Sequence, residues 1–217
     1  MDKRIMAHVT MMKLIPEASP YYRQLWEIPE KHKSIGLICS DIEDVMYMAA
    51  DDATKKARIK VLYLETVYCG EQYAWSRYGG EIICVISGER VEDVRDGLRY
   101  IKDYIENRSG SYVCTPEEDT GYYVDLVPRA GKYFRETYDI PENTAIAYLV
   151  STPIESTYGL DKALKAGDTK IAELFDAPTR VNTGGAILYG TESACRAAVD
   201  AFVGGVKHCI FHPMDPE

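Results

Sequence analysis

The sequence has no CxxC pair, no apolar run long enough to cross a bilayer and no excess of positive charge. Each absence removes a class of function. The six cysteines (Cys39, Cys69, Cys84, Cys114, Cys195 and Cys209) stand singly, so no zinc-ribbon or thioredoxin-like spacing is present, and a reduced protein with mostly buried thiols is expected. No stretch approaches the ~18 apolar residues of a membrane span. Met1-Asp2-Lys3-Arg4 leads into no long apolar run, so a cytoplasmic protein without a cleavable signal is expected. Lys plus Arg number 25 against 34 Asp plus Glu, a net charge of −9, which disfavours nucleic acid and anionic membranes as partners.

Catalytic and cofactor signatures are missing as well. Gly79-Gly80 and Gly184-Gly185 continue into no GK[ST] pattern, so they are not phosphate loops. No Ser-His-Asp or Cys-His order suggests nucleophilic catalysis. His208 and His212 have the i, i+4 spacing of helical metal ligands, but Pro213 follows at once. A frayed tail is expected there, with no metal and no cofactor.

What the chain does have is a repeat of itself. Leu14-Ile15-Pro16-Glu17-Ala18-Ser19-Pro20-Tyr21-Tyr22-Arg23 recurs at an offset of 112 as Leu126-Val127-Pro128-Arg129-Ala130-Gly131-Lys132-Tyr133-Phe134-Arg135, and Ile28-Pro29-Glu30 returns as Ile140-Pro141-Glu142. At an offset of 110 or 111, Asp44 and Tyr47 face Glu155 and Tyr158; Asp51, Ala53, Lys55 and Lys60 face Asp161, Ala163, Lys165 and Lys170. Gly79-Gly80 and Gly184-Gly185 each open a short apolar strand and then a helix. The 217 residues thus hold two copies of one unit, expected over 5–112 and 118–213, each near the ~100 residues that a small domain needs.

Within each copy, strand and helix patterns alternate. His8–Ile15 reads as a strand stopped by Pro16, Pro20–Trp26 as a short amphipathic segment, and Ile35–Cys39 as a buried strand. Val45, Met48, Ala49, Ala53 and Ala57 predict a helix from about Asp44; in the second copy Pro153 and Gly167 bracket its counterpart. Ile59–Leu64 and Ile82–Ser87 are strands. Val91, Val94, Leu98, Ile101 and Ile105 mark one face of a closing helix. Its counterpart carries Ala194, Ala197, Ala201, Phe202 and Val206, small residues that permit close packing. The expected fold class is α/β, an α+β sandwich in tandem.

Ala49-Ala50-Asp51-Asp52-Ala53-Thr54-Lys55 and Leu160-Asp161-Lys162-Ala163-Leu164-Lys165 resemble the edge helix of the bacterial microcompartment shell domain. The strands ending in Ile15-Pro16 and Val127-Pro128 resemble that domain's last strand, here placed first, which is a circular permutation. Ser34–Ile38, Ile105-Glu106-Asn107, Ala147–Val150, Glu155–Gly159 and Ala194-Cys195 are similar to the EutL-type family of permuted tandem shell proteins. The resemblance implies a homotrimer that forms a pseudohexameric tile, other shell proteins as partners, and a central pore for small metabolites in ethanolamine utilisation.

It also implies site residues. Glu43, Asp44, Glu81, Tyr112 and Glu155 match positions lining a small pocket or secondary pore, where carboxylates suit a protonated amine such as ethanolamine. Asp44 and Glu155 also stand at helix starts, where a carboxylate favours the dipole without any ligand. The loops carrying Cys69, Tyr73, Trp75 and Arg77, and Asp176, Arg180 and Asn182, read as pore gates or as rigidly packed covers. Lys55 and Lys165 match the tile-edge lysine, or are a solvated helix face. Two other classes stay open: a soluble trimeric small-molecule-binding regulatory protein, and an acid/base enzyme.

Overall fold

The computed structural model describes residues 2–67, 81–116, 120–179 and 182–214. Its elements run β1 (Lys3–Met6), β2 (Val9–Ile15), α1 (Pro20–Leu25), β3 (Ser34–Ser40), α2 (Glu43–Thr54), β4 (Ile59–Val67), β5 (Glu81–Gly88), α3 (Val91–Asn107) and β6 (Gly110–Val113). They continue with β7 (Gly121–Val127), α4 (Lys132–Tyr138), β8 (Ala145–Ser151), α5 (Pro153–Ala166), β9 (Thr169–Phe175), β10 (Gly184–Gly190) and α6 (Glu192–Phe211). The fold is mixed α/β, with two antiparallel sheets in two compact units.

The N-terminal unit comprises Met6–Ser109 and the segment Gly131–Tyr133. Its four strands lie in the order β2-β3-β5-β4. Successive side chains point to opposite faces of a strand, and the register pairs Ile38 with Cys84 and Gly36 with Ile86. That face is buried under helix. A Cβ placed on Gly36 would stand 2.9 Å from side-chain atoms of both Val94 and Leu98, and one on Gly97 would stand 2.9 Å from Ile59. Glycine on each side therefore lets α3 lie close to the sheet. The small segment at Pro20 forms α1, capped by the Ser19 hydroxyl, which accepts from the Tyr22 amide. None of its residues is buried.

The C-terminal unit holds Met1–Ile5, Gly110–Ala130 and Phe134–Glu217. Its six strands run β1-β6-β7-β8-β10-β9, and all seven residues of β8 are buried. One face packs Ala147, Leu149, Ala186 and Leu188 against Ala198, Phe202 and Val206 of α6. The other is aromatic: Tyr148 meets Tyr123 edge-on at 5.5 Å, Phe175 at 5.4 Å and Phe134 of α4 at 6.5 Å. Helices α5 and α6 cross at glycines, since a Cβ on Gly205 would stand 2.8 Å from the Gly159 Cα.

Two strands, β1 and β6, were not expected from the sequence; at four residues each they are too short to show an alternating pattern. Their positions before β2 and β7 are equivalent in the repeat, yet both join the C-terminal unit's sheet. The expectation of a frayed tail at His208 is also corrected. Helix α6 runs through His208 and Cys209 to Phe211, because Tyr158 of α5 stacks on the His208 ring at 5.6 Å and His212 follows at 5.1 Å. Among described residues no group of three or more His, Cys, Asp or Glu is arranged to hold a metal, and no helix is long and apolar enough to cross a membrane. Of the described cysteines, Cys84 and Cys195 are buried, whereas Cys39, Cys114 and Cys209 are half-buried and all five are free.

Candidate functional site

Helix α2 begins without a side-chain cap on Ile42, and its first turn carries Glu43 and Asp44. Carboxylates there suit the positive end of the helix dipole, yet both are buried, at 8% and 6% exposure. The Thr66 hydroxyl near the end of β4 donates to the Glu43 carboxylate. Burial pushes the Glu43 carboxyl above its ordinary range, and the Thr66 bond offsets part of that rise. One turn on, burial pushes the Tyr47 phenol up to about 12; Thr66 counters this, while Glu43, Glu65 and Asp44 add to it. Glu43, Asp44, Tyr47 and Thr66 thus form one acidic, desolvated corner.

Glu81 lies elsewhere. It opens β5 in register with Val67, one step from the Thr66–Ile82 pair, so it points to the opposite face of the sheet from Thr66. There it accepts from the Thr10 hydroxyl at 3.3 Å and, after burial, is the second cause raising the Cys39 thiol.

Tyr112 and Glu155 belong to the C-terminal unit. Tyr112 stacks on its cross-strand neighbour Tyr122 at 5.3 Å. Glu155 accepts from the Thr152 hydroxyl at 2.6 Å, in the first turn of α5. The structure therefore joins Glu43 to Asp44 and sets Glu81 apart from them. Sequence reasoning missed Thr66, Thr10 and Thr152, the hydroxyl partners of the three glutamates. Their signal is only that a carboxylate taken wholly or partly out of water needs a donor.

Cys69, Tyr73, Trp75, Arg77 and Arg180 lie outside the described residues. Asp176 is exposed. Asn182 has φ 60 in a turn closed by Thr179 and Thr183, whose hydroxyls are 2.7 Å apart. The two lysines differ. Lys55 is 17% exposed, 3.4 Å from Asp52 and 3.9 Å from Asp51. Lys165 is 72% exposed and paired with Asp161 at 2.6 Å.

The BMC domain family matches residues 34–115. The bacterial microcompartment shell protein EutL of Clostridium perfringens (strain 13, type A) is 39% identical over 210 residues, covering 97% of both chains. The chain belongs to the EutL family of microcompartment shell proteins. EutL of Escherichia coli K12 is 34% identical over 206 residues, 95% of this chain and 94% of that one. The crystal structure of the ethanolamine utilization protein EutL from Leptotrichia buccalis superposes with a TM-score of 0.93 at 36% identity, over 99% of each chain. This EutL-family chain is thus similar to shell proteins over nearly its whole length.

Proposed function

We propose that three copies of this chain close into a pseudohexameric tile of a microcompartment shell in the cytoplasm, beside other shell proteins, and pass small polar metabolites of ethanolamine utilisation through a central pore. The observation that carries the reading is the duplication within an EutL-family chain: two shell units per chain make a six-unit ring from three subunits. The tile works by assembly and selective passage, without turnover. Glu43, Glu81 and Glu155 each accept from a threonine hydroxyl.

Glu43 and Asp44 supply the chemistry for a protonated amine: two buried carboxylates whose negative charge is poorly solvated. An ammonium entering that corner gains charge-assisted hydrogen bonds and relieves the desolvation of Glu43. Glu81, on the opposite face of its sheet from Thr66, and Tyr112 and Glu155 of the C-terminal unit are the further positions that the family pattern points to, and Asp176 and Asn182 are its pore-rim positions. Lys165 and Lys55 are its tile-edge positions.

Sedimentation equilibrium tests the assembly: a mass of three chains of 24.4 kDa is expected, and a monomer at micromolar concentration refutes it. Calorimetric titration with ethanolamine tests the site. Binding that Glu43→Gln abolishes is expected; unchanged binding in that variant moves the amine elsewhere. Turnover of an added amine by the pure protein overturns the non-catalytic reading.

A further inference from the structure

Helix α2 carries a dock. The Asp51 carboxylate, 1% exposed, accepts from the Gly131 amide at 2.6 Å, and the Thr54 hydroxyl accepts from the Lys132 amide at 2.8 Å. The approach is close: a Cβ on Gly131 would stand 2.3 Å from the Asp51 carbonyl oxygen. These amides open α4, and amides at a helix start have no partner within the helix. Two side chains of α2 therefore supply acceptors to the first turn of another helix.

The repeat assigns an equivalent to every member of this contact. Asp51 corresponds to Asp161 and Thr54 to Leu164, both on α5; Gly131, Lys132 and Tyr133 correspond to Ser19, Pro20 and Tyr21. The equivalents are exposed. The Asp161 side chain is 56% exposed, Leu164 38% and Tyr21 68%, and Ser19 is exposed too. Each chain thus presents one unfilled dock and one unseated segment.

The two sets also match in chemistry. In the filled dock a hydroxyl on Thr54 meets the N–H of Lys132. In the equivalent pair both polar groups are missing together: Leu164 has no hydroxyl and Pro20 has no N–H. A polar pair has become an apolar pair, whereas the carboxylate of Asp161 and the amide of Ser19 are kept.

We propose that Ser19–Tyr21 of one chain seats on Asp161 and Leu164 of a second copy. The Ser19 amide donates to Asp161, and Pro20 packs on Leu164. Such a contact joins two different surfaces, so it is heterologous and closes into a ring when the rotation permits. This proposal rests on the trimer proposed above and names the surfaces that make it.

Engineered disulfides test it. The close approach of Asp51 and Gly131 implies that Ser19→Cys with Asp161→Cys brings two thiols within bridging range, ~4 Å between Cβ atoms. A second pair, Pro20→Cys with Leu164→Cys, guards against poor geometry in the first. Mild oxidation is expected to give covalent dimers and trimers on non-reducing gels in a double variant, at least tenfold above either single variant with the native cysteines kept. If both double variants sediment as trimers yet give no linked species above the single variants, the proposed surfaces are wrong and the trimer stands. If the unmodified chain sediments as a monomer, the trimer fails, and this contact with it.

Discussion

The Thr66 hydroxyl donates to the Glu43 carboxylate, tying the first turn of α2 to the end of β4. Burial outweighs that bond and holds the Glu43 carboxyl above its ordinary value of 4.5. An acid raised on folding stabilises the fold fully below its unfolded value and loses that contribution as pH rises through the folded one. Wild-type stability is therefore expected to fall from pH 4.5 toward neutrality by an amount that Glu43→Gln removes. Urea midpoints at pH 5 and pH 8 check this: the glutamine variant should be the more stable at pH 8, and the difference should shrink at pH 5. A wild type gaining stability over that range relative to Glu43→Gln contradicts the account. Thr66→Val leaves the buried carboxylate without its hydroxyl donor, at a cost of about 1–3 kcal/mol, and that cost should shrink in the double variant.

Adjacent glycines in α6 predict opposite effects. A methyl group added at Gly204 would have no atom within 4 Å, whereas a Cβ on Gly205 would meet the Gly159 Cα at 2.8 Å. Gly204→Ala gains helix propensity and should stabilise by about 0.8–1 kcal/mol. Gly205→Ala gains the same propensity but forces α5 and α6 apart, and overpacking of this kind costs about 1–3 kcal/mol. Thermal melts of the two variants separate them by sign. Equal shifts mean that the crossing yields more readily than its geometry implies.

A carboxylate ties down the start of the N-terminal strand. Asp2 accepts from the Tyr122 hydroxyl at 2.7 Å and from the Lys207 ammonium at 2.6 Å. Burial raises its carboxyl, but the hydrogen bonds from Lys207 and Tyr122 overcome this and leave it below 3.8. A depressed acid contributes stability above its unfolded value and loses it as pH falls through the folded one. Asp2→Asn should cost about 1 kcal/mol at pH 7, discounted for the partial exposure of Lys207, and the cost should shrink as pH falls below 3.8. Hydrogen exchange should quicken in β1 and β6 of the variant. Exchange unchanged in both strands means that the ladder alone holds them.

The tandem α/β plan was legible because periodicity and turn residues repeat: Pro16 and Pro128 end equivalent strands. The packed face of α6 was legible only at Phe202 and Val206, since Cys195, Ala198 and Gly205 are buried beside them in place of Ala194, Ala197 and Ala201. Strands β1 and β6 were not, since four residues carry too little pattern and strand pairing is a long-range property. The arrangement of the candidate acidic residues was half legible. Glu43 and Asp44 are neighbours in sequence and stay so in space. The separation of Glu81 follows from register, where a shift of one residue changes the face, and sequence alone does not carry that register.

Lys55 and Lys165, equivalent in the repeat, should respond differently to charge reversal. Lys55 is 17% exposed and neighbours Asp51 and Asp52, of which Asp51 also holds the Gly131 amide. A glutamate there places a third negative charge beside two largely buried carboxylates, and destabilisation of about 1–3 kcal/mol is expected. Lys165 is 72% exposed, and its partner Asp161 is 56% exposed; an exposed pair of this kind adds little to stability. Lys165→Glu should therefore melt within about 1 °C of the wild type and still sediment as a trimer. If the lysine lies along a neighbouring tile, its reversal abolishes the two-dimensional sheets seen by electron microscopy. Sheets that persist in Lys165→Glu assign the lysine to the solvated face of α5 and move the tile contact elsewhere. Lys55→Glu is a poor probe of the same question, because loss of sheets there follows from unfolding as readily as from a lost contact.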